Sequence, residues 1–400
     1  MKICVVLEYR FAQTPDGTAW AQTTFGKSFW QRYLAVFDQV QIVARATQVP
    51  GVPPTWQKVT AENVSFIAVP CYVGPLQYLW QASQVKKVLR NAFNVQDAVI
   101  MRVPSQLAND FEPFLRRMGH PYALEVVGDP YDVFAPGAVK HPLQPFFRWW
   151  FTQRMRQQCL NACALAYVTQ AALQHRYPAR PQAFSTNFSS IELSDEAFIP
   201  QARSVQQDKR PWRLIFVGTL EQPYKAPDVL LEACALCLQS GIALSLIMIG
   251  DGKYRAMLEA QAKKLGIHEH IQFLGQLAAG NEIRLQLDQA DLFALPSRQE
   301  GLPRAMIEAM ARGLPCIGSN VGGIPELLPP EAMVQPGDAK ALAQKILEIL
   351  ADPVRMAQMA ARNLAKAQLY HEEILRERRT AFYRVIKEKT EMWLEERSKR

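Results

Sequence analysis

The chain has 400 residues and a mass of 45.2 kDa, which is too large for one ordinary hydrophobic core and predicts two or three domains. Hydrophobic residues make up 49% and charged residues 20%, a globular composition that excludes a disordered or coiled-coil chain. The formal net charge of +8 is mild, so an anionic ligand or an anionic membrane surface is expected as a partner, and nucleic acid is not.

Hydropathy predicts a protein without a membrane span. The apolar stretches fall well short of the roughly 18 residues that a spanning helix needs, and the opening apolar run is too short for a signal peptide. We therefore expect a cytoplasmic protein, with peripheral contact with the inner face of the membrane as an alternative. Cys234 and Cys237 form a CxxC inside a helical pattern without a second pair or a nearby histidine, so no metal site is predicted.

Short β-rich runs alternate with amphipathic stretches of helical length, which is typical of βαβ units and a parallel sheet. In the first half, strands are predicted at residues 2–7, 40–44, 64–69, 98–102, 122–127 and 165–169. Helices are predicted near residues 27–37, 77–91, 106–118 and 143–161. The polar stretch 187–211 reads as a linker, and strands resume at residues 213–217, 243–249, 270–274, 292–295 and 315–318.

The pattern therefore predicts two α/β domains, residues 1–200 and 201–370, followed by a C-terminal helix over residues 371–400. Leu375, Phe382, Ile386 and Trp393 fall at helical spacing in a charged background. We expect this helix to pack back on the N-terminal domain, because its polar face mixes both signs of charge. Binding to a membrane surface is the alternative.

The segment ALPSRQEGLPRAMIEAMARGLPCIGSNVGGIPELL, residues 294–328, carries the strongest chemical signal. A strand ends at Leu295 and a helix is predicted to open at Pro303, a residue suited to the first helical position. Backbone N–H groups at such a start are unpaired and carry partial positive charge, so they can hold a diphosphate. In the alternative reading, Glu308 and Arg312 form an ordinary surface ion pair and the segment has no function.

This segment resembles the signature of the family 4 glycosyltransferases, which are retaining enzymes. In that family two acidic residues separated by seven others precede an EAMA-type helix and a GG-PE turn; here these are Glu300, Glu308 and the stretch GGIPE. The blocks RLIFVGTLEQPYKAPDVLLEA, LIMIGDG and HIQFLG extend the resemblance over residues 213–367. The implied fold is α/β, with two Rossmann-like domains facing across a cleft (GT-B).

The resemblance also implies site residues. Glu300 would lie beside the donor sugar, Glu308 would accept hydrogen bonds from the ribose, and Lys225 would bind the diphosphate. The remaining donor-binding positions are Gly218, Thr219, Gly275, Gly301, Leu302, Pro303, Arg304 and Ala305. Thr219 stands where most members have an arginine, and Arg304 is the candidate replacement for that cation.

The N-terminal domain is expected to supply the acceptor side. The predicted loop over residues 8–26, which contains Gly17, would open toward the cleft. Asp129 follows a predicted strand where relatives carry a histidine, and it is a candidate catalytic group; the alternative is a turn or N-cap residue. Arg102 is a second acceptor-side candidate, with a structural ion pair as its alternative. The aromatic and basic run over residues 145–156 would contact anionic lipid or a lipid-linked acceptor, or else form a buried helix.

The reaction implied is transfer of a sugar from a nucleotide diphosphate sugar to an acceptor hydroxyl of a glycan or lipid-linked acceptor, with retention of configuration. No metal or other cofactor is expected, because a lysine and helix dipoles supply the positive charge. The setting implied is polysaccharide or glycolipid assembly. The alternatives are a nucleotide-sugar epimerase, a glycan phosphorylase, or a degenerate transferase that acts as a binding scaffold.

Overall fold

The computed structural model describes residues 1–22, 24–135, 141–203 and 211–399. Within these residues the strands are Lys2–Gln13 (β1), Ala19–Ala21 (β2), Gln39–Gln48 (β3), Gln57–Lys58 (β4), Val64–Pro70 (β5), Ala98–Val103 (β6), Ala123–Val126 (β7), Ala164–Tyr167 (β8), Phe184–Asn187 (β9), Trp212–Val217 (β10), Leu244–Ile249 (β11), Ile271–Gly275 (β12), Leu292–Leu295 (β13), Cys316–Ser319 (β14) and Met333–Val334 (β15). The α-helices are Lys27–Gln31 (α1), Gly74–Ala92 (α2), Gln106–Met118 (α3), Pro130–Val133 (α4), Gln144–Asn161 (α5), Ala172–Arg176 (α6), Pro227–Gln239 (α7), Arg255–Lys264 (α8), Asn281–Gln289 (α9), Arg304–Ala311 (α10), Ala339–Leu350 (α11), Pro353–Gln368 (α12) and Glu372–Ser398 (α13).

The N-terminal domain is built on a parallel sheet with the strand order β5-β3-β1-β6-β7-β8-β9. The short strands β2 and β4 extend it in antiparallel pairing at the end of β1. Apolar side chains of α2, α3 and α5 pack on one face of this sheet, and those of α1 and α13 pack on the other. Both faces are covered, as parallel sheets require.

The C-terminal domain has a second parallel sheet, in the order β12-β11-β10-β13-β14-β15. This is the strand order 3-2-1-4-5-6 of a Rossmann-like domain, in which the order reverses between its first and fourth strands. Ligands of such sheets bind at the carboxyl ends of the strands near this reversal, which here lies between β10 and β13. The α/β prediction with two Rossmann-like domains is confirmed.

Several predicted boundaries were wrong. Residues 8–13 and 19–21 of the expected loop over residues 8–26 are strand, because β1 continues to Gln13 by pairing with β3 and the chain turns back as β2. The helix expected over residues 27–37 ends at Gln31. Pro303 is the N-cap of α10, in extended conformation, and is not its first helical residue. Of the predicted linker, residues 204–210 lie outside the described residues.

The C-terminal helix α13 packs against β6, β8 and β9 of the N-terminal sheet. Leu375, Phe382 and Ile386 are buried. The ring of Tyr383 stacks on that of Tyr33 with 4.6 Å between the ring centroids. Hydrophobic burial on the sheet therefore holds this helix in place. None of the helices in the described parts of the chain combines the length and the apolar character needed to cross a membrane.

Candidate active site

The site is centred on Glu300, in the loop between β13 and α10. Its Oε1 accepts hydrogen bonds from the Lys225 Nζ at 2.6 Å and from the Ser297 Oγ at 2.6 Å. Glu300 is 6% exposed, and the Lys225 side chain is 13% exposed. Since an ammonium group has three donors, Lys225 can bind this carboxylate and still offer donors to a second anion.

Three glycines let the backbone approach Glu300 closely. A Cβ atom on Gly322 would lie 2.0 Å from the Glu300 carbonyl oxygen, and Gly322 has a φ of +53°. The Gly323 N–H donates to the Gly301 carbonyl at 2.7 Å. A Cβ on Gly301 would lie 2.9 Å from the Val127 carbonyl oxygen of the N-terminal domain. The GGIPE turn therefore packs directly on the Glu300 loop, and this loop lies against the other domain.

Arg298 holds the lysine segment in place. Its guanidinium donates to both Asp228 carboxylate oxygens, at 2.9 and 2.6 Å, and to the Pro223 carbonyl at 3.0 Å. The hydrogen bonds to Asp228 raise the pKa of Arg298. Its backbone N–H also donates to the Tyr224 carbonyl at 2.7 Å. The turn that carries Lys225 is thus fastened to the Glu300 loop by a planar, bidentate contact.

The helix α10 begins beside Glu300. With Pro303 as N-cap, the N–H groups of Arg304 and Ala305 have no acceptor within the helix. Glu308, one turn further, is partly buried, and burial raises its pKa, while the charges of Arg304 and Arg284 act in the opposite direction. Within the described residues the Glu308 carboxylate accepts no hydrogen bond. It can therefore accept hydrogen bonds from hydroxyl groups of a ligand.

The carboxyl ends of β10, β11 and β12 meet at three further glycines. A Cβ on Gly218 would lie 3.4 Å from the Lys225 Cγ, so Gly218 is adjacent to the lysine. The Gly250 N–H donates to the Gly275 carbonyl at 2.8 Å. Thr219 is exposed, and its Oγ1 accepts the Glu221 N–H at 3.2 Å. The predicted donor-binding positions Gly218, Thr219 and Gly275 thus follow one edge of the sheet.

The N-terminal domain brings Asp129 to the same place. A small cavity of about 70 Å³ between the domains is lined by Asp129, Thr169, Arg176, Glu300 and the two glycines of the GGIPE turn. Asp129 is the N-cap of α4 and accepts the Tyr131 N–H at 2.8 Å. It also accepts hydrogen bonds from the Tyr177 hydroxyl, at 2.5 Å, and from Arg176. Asp129 therefore has the contacts of an N-cap residue, as the alternative interpretation predicted, and its side chain also lines the cavity.

The other two acceptor-side candidates are placed differently. Gly17 lies in the exposed turn between β1 and β2, and its N–H and carbonyl bond to Thr14 and Gln13 of the same hairpin. Arg102 is buried and forms an ion pair with Glu125. Its guanidinium lies over the Phe25 and Phe29 rings. The structure thus favours the structural alternative for Arg102 and does not bring Gly17 to the cavity.

Glu326, the last residue of GGIPE, joins the two domains. Its carboxylate accepts the backbone N–H groups of Gln170, Ala171 and Ala172, at 2.5, 2.9 and 2.7 Å, where α6 begins in the N-terminal domain. The sequence analysis predicted no role for Glu326. It also did not predict Ser297 and Arg298, although their closeness to Glu300 in the sequence could have indicated both.

All seven cysteines are free, and no group of three or more His, Cys, Asp or Glu side chains is placed to hold a metal ion in the described ranges.

Comparison with known proteins agrees with this architecture. Residues 199–367 match the family model of glycosyl transferases group 1. The chain is 25% identical to protein CapJ of Staphylococcus aureus over 80% of both chains, and 32% identical to the amylovoran biosynthesis glycosyltransferase AmsK of Erwinia amylovora over 41% of both. It shares its fold with Anabaena HepE in complex with UDP-glucose, with a TM-score of 0.64, 16% identity, and 94% of this chain and 98% of that chain covered.

The two facing Rossmann-like domains have the GT-B fold. The match to the glycosyl transferases group 1 model lies in the C-terminal domain. Seven of the curated relatives, AmsK among them, match this chain over only 17–52% of their own length.

Proposed function

We propose that the protein is a retaining glycosyltransferase that moves a sugar from a nucleotide diphosphate sugar to an acceptor hydroxyl. The observation that carries the proposal is the contact between Glu300 and Lys225 at a cavity that the opposite domain also lines. A carboxylate for the sugar and an ammonium for the diphosphate thus lie together at the carboxyl end of a Rossmann-like sheet. The UDP-glucose bound by the HepE structure supports this donor class.

The proposed chemistry follows from the charges. When the bond between the sugar and the phosphate breaks, negative charge develops on the diphosphate and positive charge on the sugar. Lys225 and the N-terminal end of α10 stabilise the first, without requiring a metal. Glu300 stabilises the second and orients the sugar hydroxyls, while Glu308 accepts hydrogen bonds from the ribose.

The acceptor enters from the N-terminal domain, on the side of Asp129. Because both oxygens of Asp129 already accept hydrogen bonds, we assign it to positioning Arg176 and Tyr177. The departing phosphate oxygen then takes the acceptor's proton as the new bond forms on the same face of the sugar, which retains the configuration. The name of another relative, the Vi polysaccharide biosynthesis protein VipC/TviE of Salmonella typhi, supports polysaccharide assembly as the setting, with glycolipid assembly as the related case.

The experiment is a nucleotide screen followed by two substitutions. The full chain is melted with UDP, GDP and ADP, and the corresponding sugar nucleotides are then tested for acceptor-dependent release of the diphosphate. We expect Glu300→Gln and Lys225→Ala each to lower turnover by about 100-fold or more, because each removes a charge aligned with the transition state.

The matched controls are Glu331→Gln and Lys263→Ala, which remove the same charges at exposed positions of the same domain. We expect both controls to retain activity. Full activity in a folded Glu300→Gln or Lys225→Ala variant would exclude that residue from the site. Failure of every nucleotide to stabilise the protein would contradict the proposal itself.

A further inference from the structure

A second and larger cavity lies in the N-terminal domain, between α4 and α5. Its volume is about 480 Å³. Its described lining combines aromatic rings, amides and three guanidinium groups, without an acidic side chain: Tyr131, Phe134, Gln144, Pro145, Arg148, Trp149, Thr152, Gln153, Arg156 and Arg176. A cavity of this size and composition can hold a ligand, and its lining includes none of the predicted donor-binding residues.

The cavity carries positive charge that the protein does not neutralise. Arg148 donates through Nε to the Tyr131 carbonyl at 2.8 Å, and its guanidinium lies 3.5 Å from the centroid of the Tyr131 ring. Arg156 donates through Nε to the Arg176 carbonyl at 3.1 Å. Among the described residues, neither Arg148 nor Arg156 lies within ion-pair distance of a carboxylate. Their terminal N–H groups are therefore available to an anion, and a phosphate has the charge and the acceptor oxygens to bind them.

Exposed apolar side chains lie beside the cavity, at the start of α5. Trp149 lines it and is 58% exposed. Leu143 and Phe146 are 54% and 51% exposed, and the Phe146 ring lies 6.1 Å from that of Trp149. Exposed aromatic and aliphatic side chains beside arginines favour a ligand in which a hydrocarbon chain adjoins an anionic group. The helix α5 has no acidic residue, so nothing on it repels such a ligand.

The position of this cavity connects it to the site. Arg176 lines both the larger cavity and the smaller one that contains Glu300. It is held between them by ion pairs with Asp129 and Asp132. A ligand whose phosphate lies at Arg148 and Arg156 can thus extend past Arg176 toward Glu300.

We propose that this cavity is the acceptor subsite and that the acceptor is a sugar joined through a phosphate ester to a lipid chain. The inference rests on the proposed glycosyltransferase function and adds the chemical class of its acceptor. The arginines bind the phosphate, the rings of α5 contact the first part of the chain, and the sugar extends toward the donor.

The probe is farnesyl phosphate, titrated into the full chain by calorimetry, with farnesol and inorganic phosphate as partial ligands. We expect farnesyl phosphate to bind more tightly than either partial ligand, and the double variant Arg148→Gln, Arg156→Gln to bind it at least tenfold more weakly, because two charged hydrogen-bond donors are lost. Trp149→Ala is expected to weaken the binding of farnesyl phosphate but not that of inorganic phosphate. Lys225→Ala should leave farnesyl phosphate binding unchanged.

The matched control is Lys87→Gln, Arg117→Gln, which removes two positive charges from exposed positions on neighbouring helices. If this control weakens binding equally, the effect is general electrostatics and the proposal is wrong. The proposal is also wrong if the double arginine variant loses binding to phosphatidylglycerol vesicles but keeps binding to farnesyl phosphate, because the arginines would then contact lipid headgroups. If the protein binds a nucleotide but not farnesyl phosphate, only this inference about the acceptor is wrong. If the protein binds no nucleotide, the proposed function is wrong.

Discussion

Glu300 and Glu308 belong to one short segment, yet their surroundings differ. Glu300 is hydrogen bonded to an ammonium and a hydroxyl, so its negative charge is stabilised within the protein. Glu308 has no such hydrogen bond in the described part of the chain, and burial raises its pKa. A buried carboxylate without hydrogen bonds destabilises the ligand-free protein. A ligand that donates hydrogen bonds to this carboxylate offsets the destabilisation.

Glu308→Gln should therefore stabilise the ligand-free protein at neutral pH. Because the pKa is raised in the folded state, the folded protein binds this proton more strongly than the unfolded chain does. The contribution to the free energy of unfolding is then fully present below about pH 4.5 and is lost as the pH rises through the folded pKa. Thermal melts from pH 4 to 8 should show the variant more stable than the wild type at pH 7, with the difference vanishing at pH 4.

The same variant should bind the stabilising nucleotide more weakly, because an amide accepts hydrogen bonds from ribose hydroxyls less strongly than a carboxylate does. A variant that melts below the wild type at pH 7 would show that Arg304 and Arg284 outweigh burial, and would contradict this account of Glu308.

The GGIPE turn and helix α6 meet at the boundary between the domains. The GGIPE turn packs on the Glu300 loop through its glycines, and Glu326 binds three consecutive N–H groups at the start of α6. A helix of five residues is too short to be stable alone, so this carboxylate helps to order α6 as well as to join the domains. The GGIPE turn thus helps to set the geometry of the site by positioning the Glu300 loop and joining it to α6.

Glu326→Gln should loosen the interdomain contact. The substitution removes the charge and turns one acceptor into a donor that faces N–H groups, which we expect to cost about 2 kcal/mol of interdomain stabilisation. Small-angle scattering should show a larger radius of gyration, and turnover should fall, while nucleotide binding to the C-terminal domain remains. Glu331→Gln is the control, and an unchanged scattering profile for Glu326→Gln would contradict this role.

In the whole molecule, the chain returns to its first domain after completing the second. Helix α13 follows the C-terminal domain and buries its apolar side chains on the N-terminal sheet, beside α1. The aromatic contacts of Tyr383 with Tyr33, and of Phe382 with Phe188, hold it there. The N-terminal domain therefore depends on residues at the end of the chain.

Phe382→Ala should destabilise the N-terminal domain by about 3–5 kcal/mol, because it leaves a cavity under a fully buried ring. Urea unfolding followed by tryptophan fluorescence measures this change. Arg384→Ala, on the exposed side of the same helix, should change the free energy of unfolding by less than about 0.5 kcal/mol. Equal effects of the two substitutions would show that the helix does not contribute to the core.

The sequence by itself determined the α/β class and many of its elements. The predicted helix over residues 106–118 and strand over residues 292–295 agree with α3 and β13 residue for residue. Both are set by local patterns: helical periodicity with a Ser105 cap in the first, and a short apolar run before a turn in the second. The position of Glu300 beside the N-terminal end of α10 could also be predicted, because the two are close in sequence.

Only the tertiary structure decided the partners that lie far apart in the chain. The strand β1 extends to Gln13 because β2 and β3 pair with it, and Arg102 is paired because Glu125 lies on the adjacent strand. Glu326 meets α6 across more than 150 residues. Such contacts depend on which surfaces the two sheets bring together, and burial then selects partners that local sequence patterns do not encode.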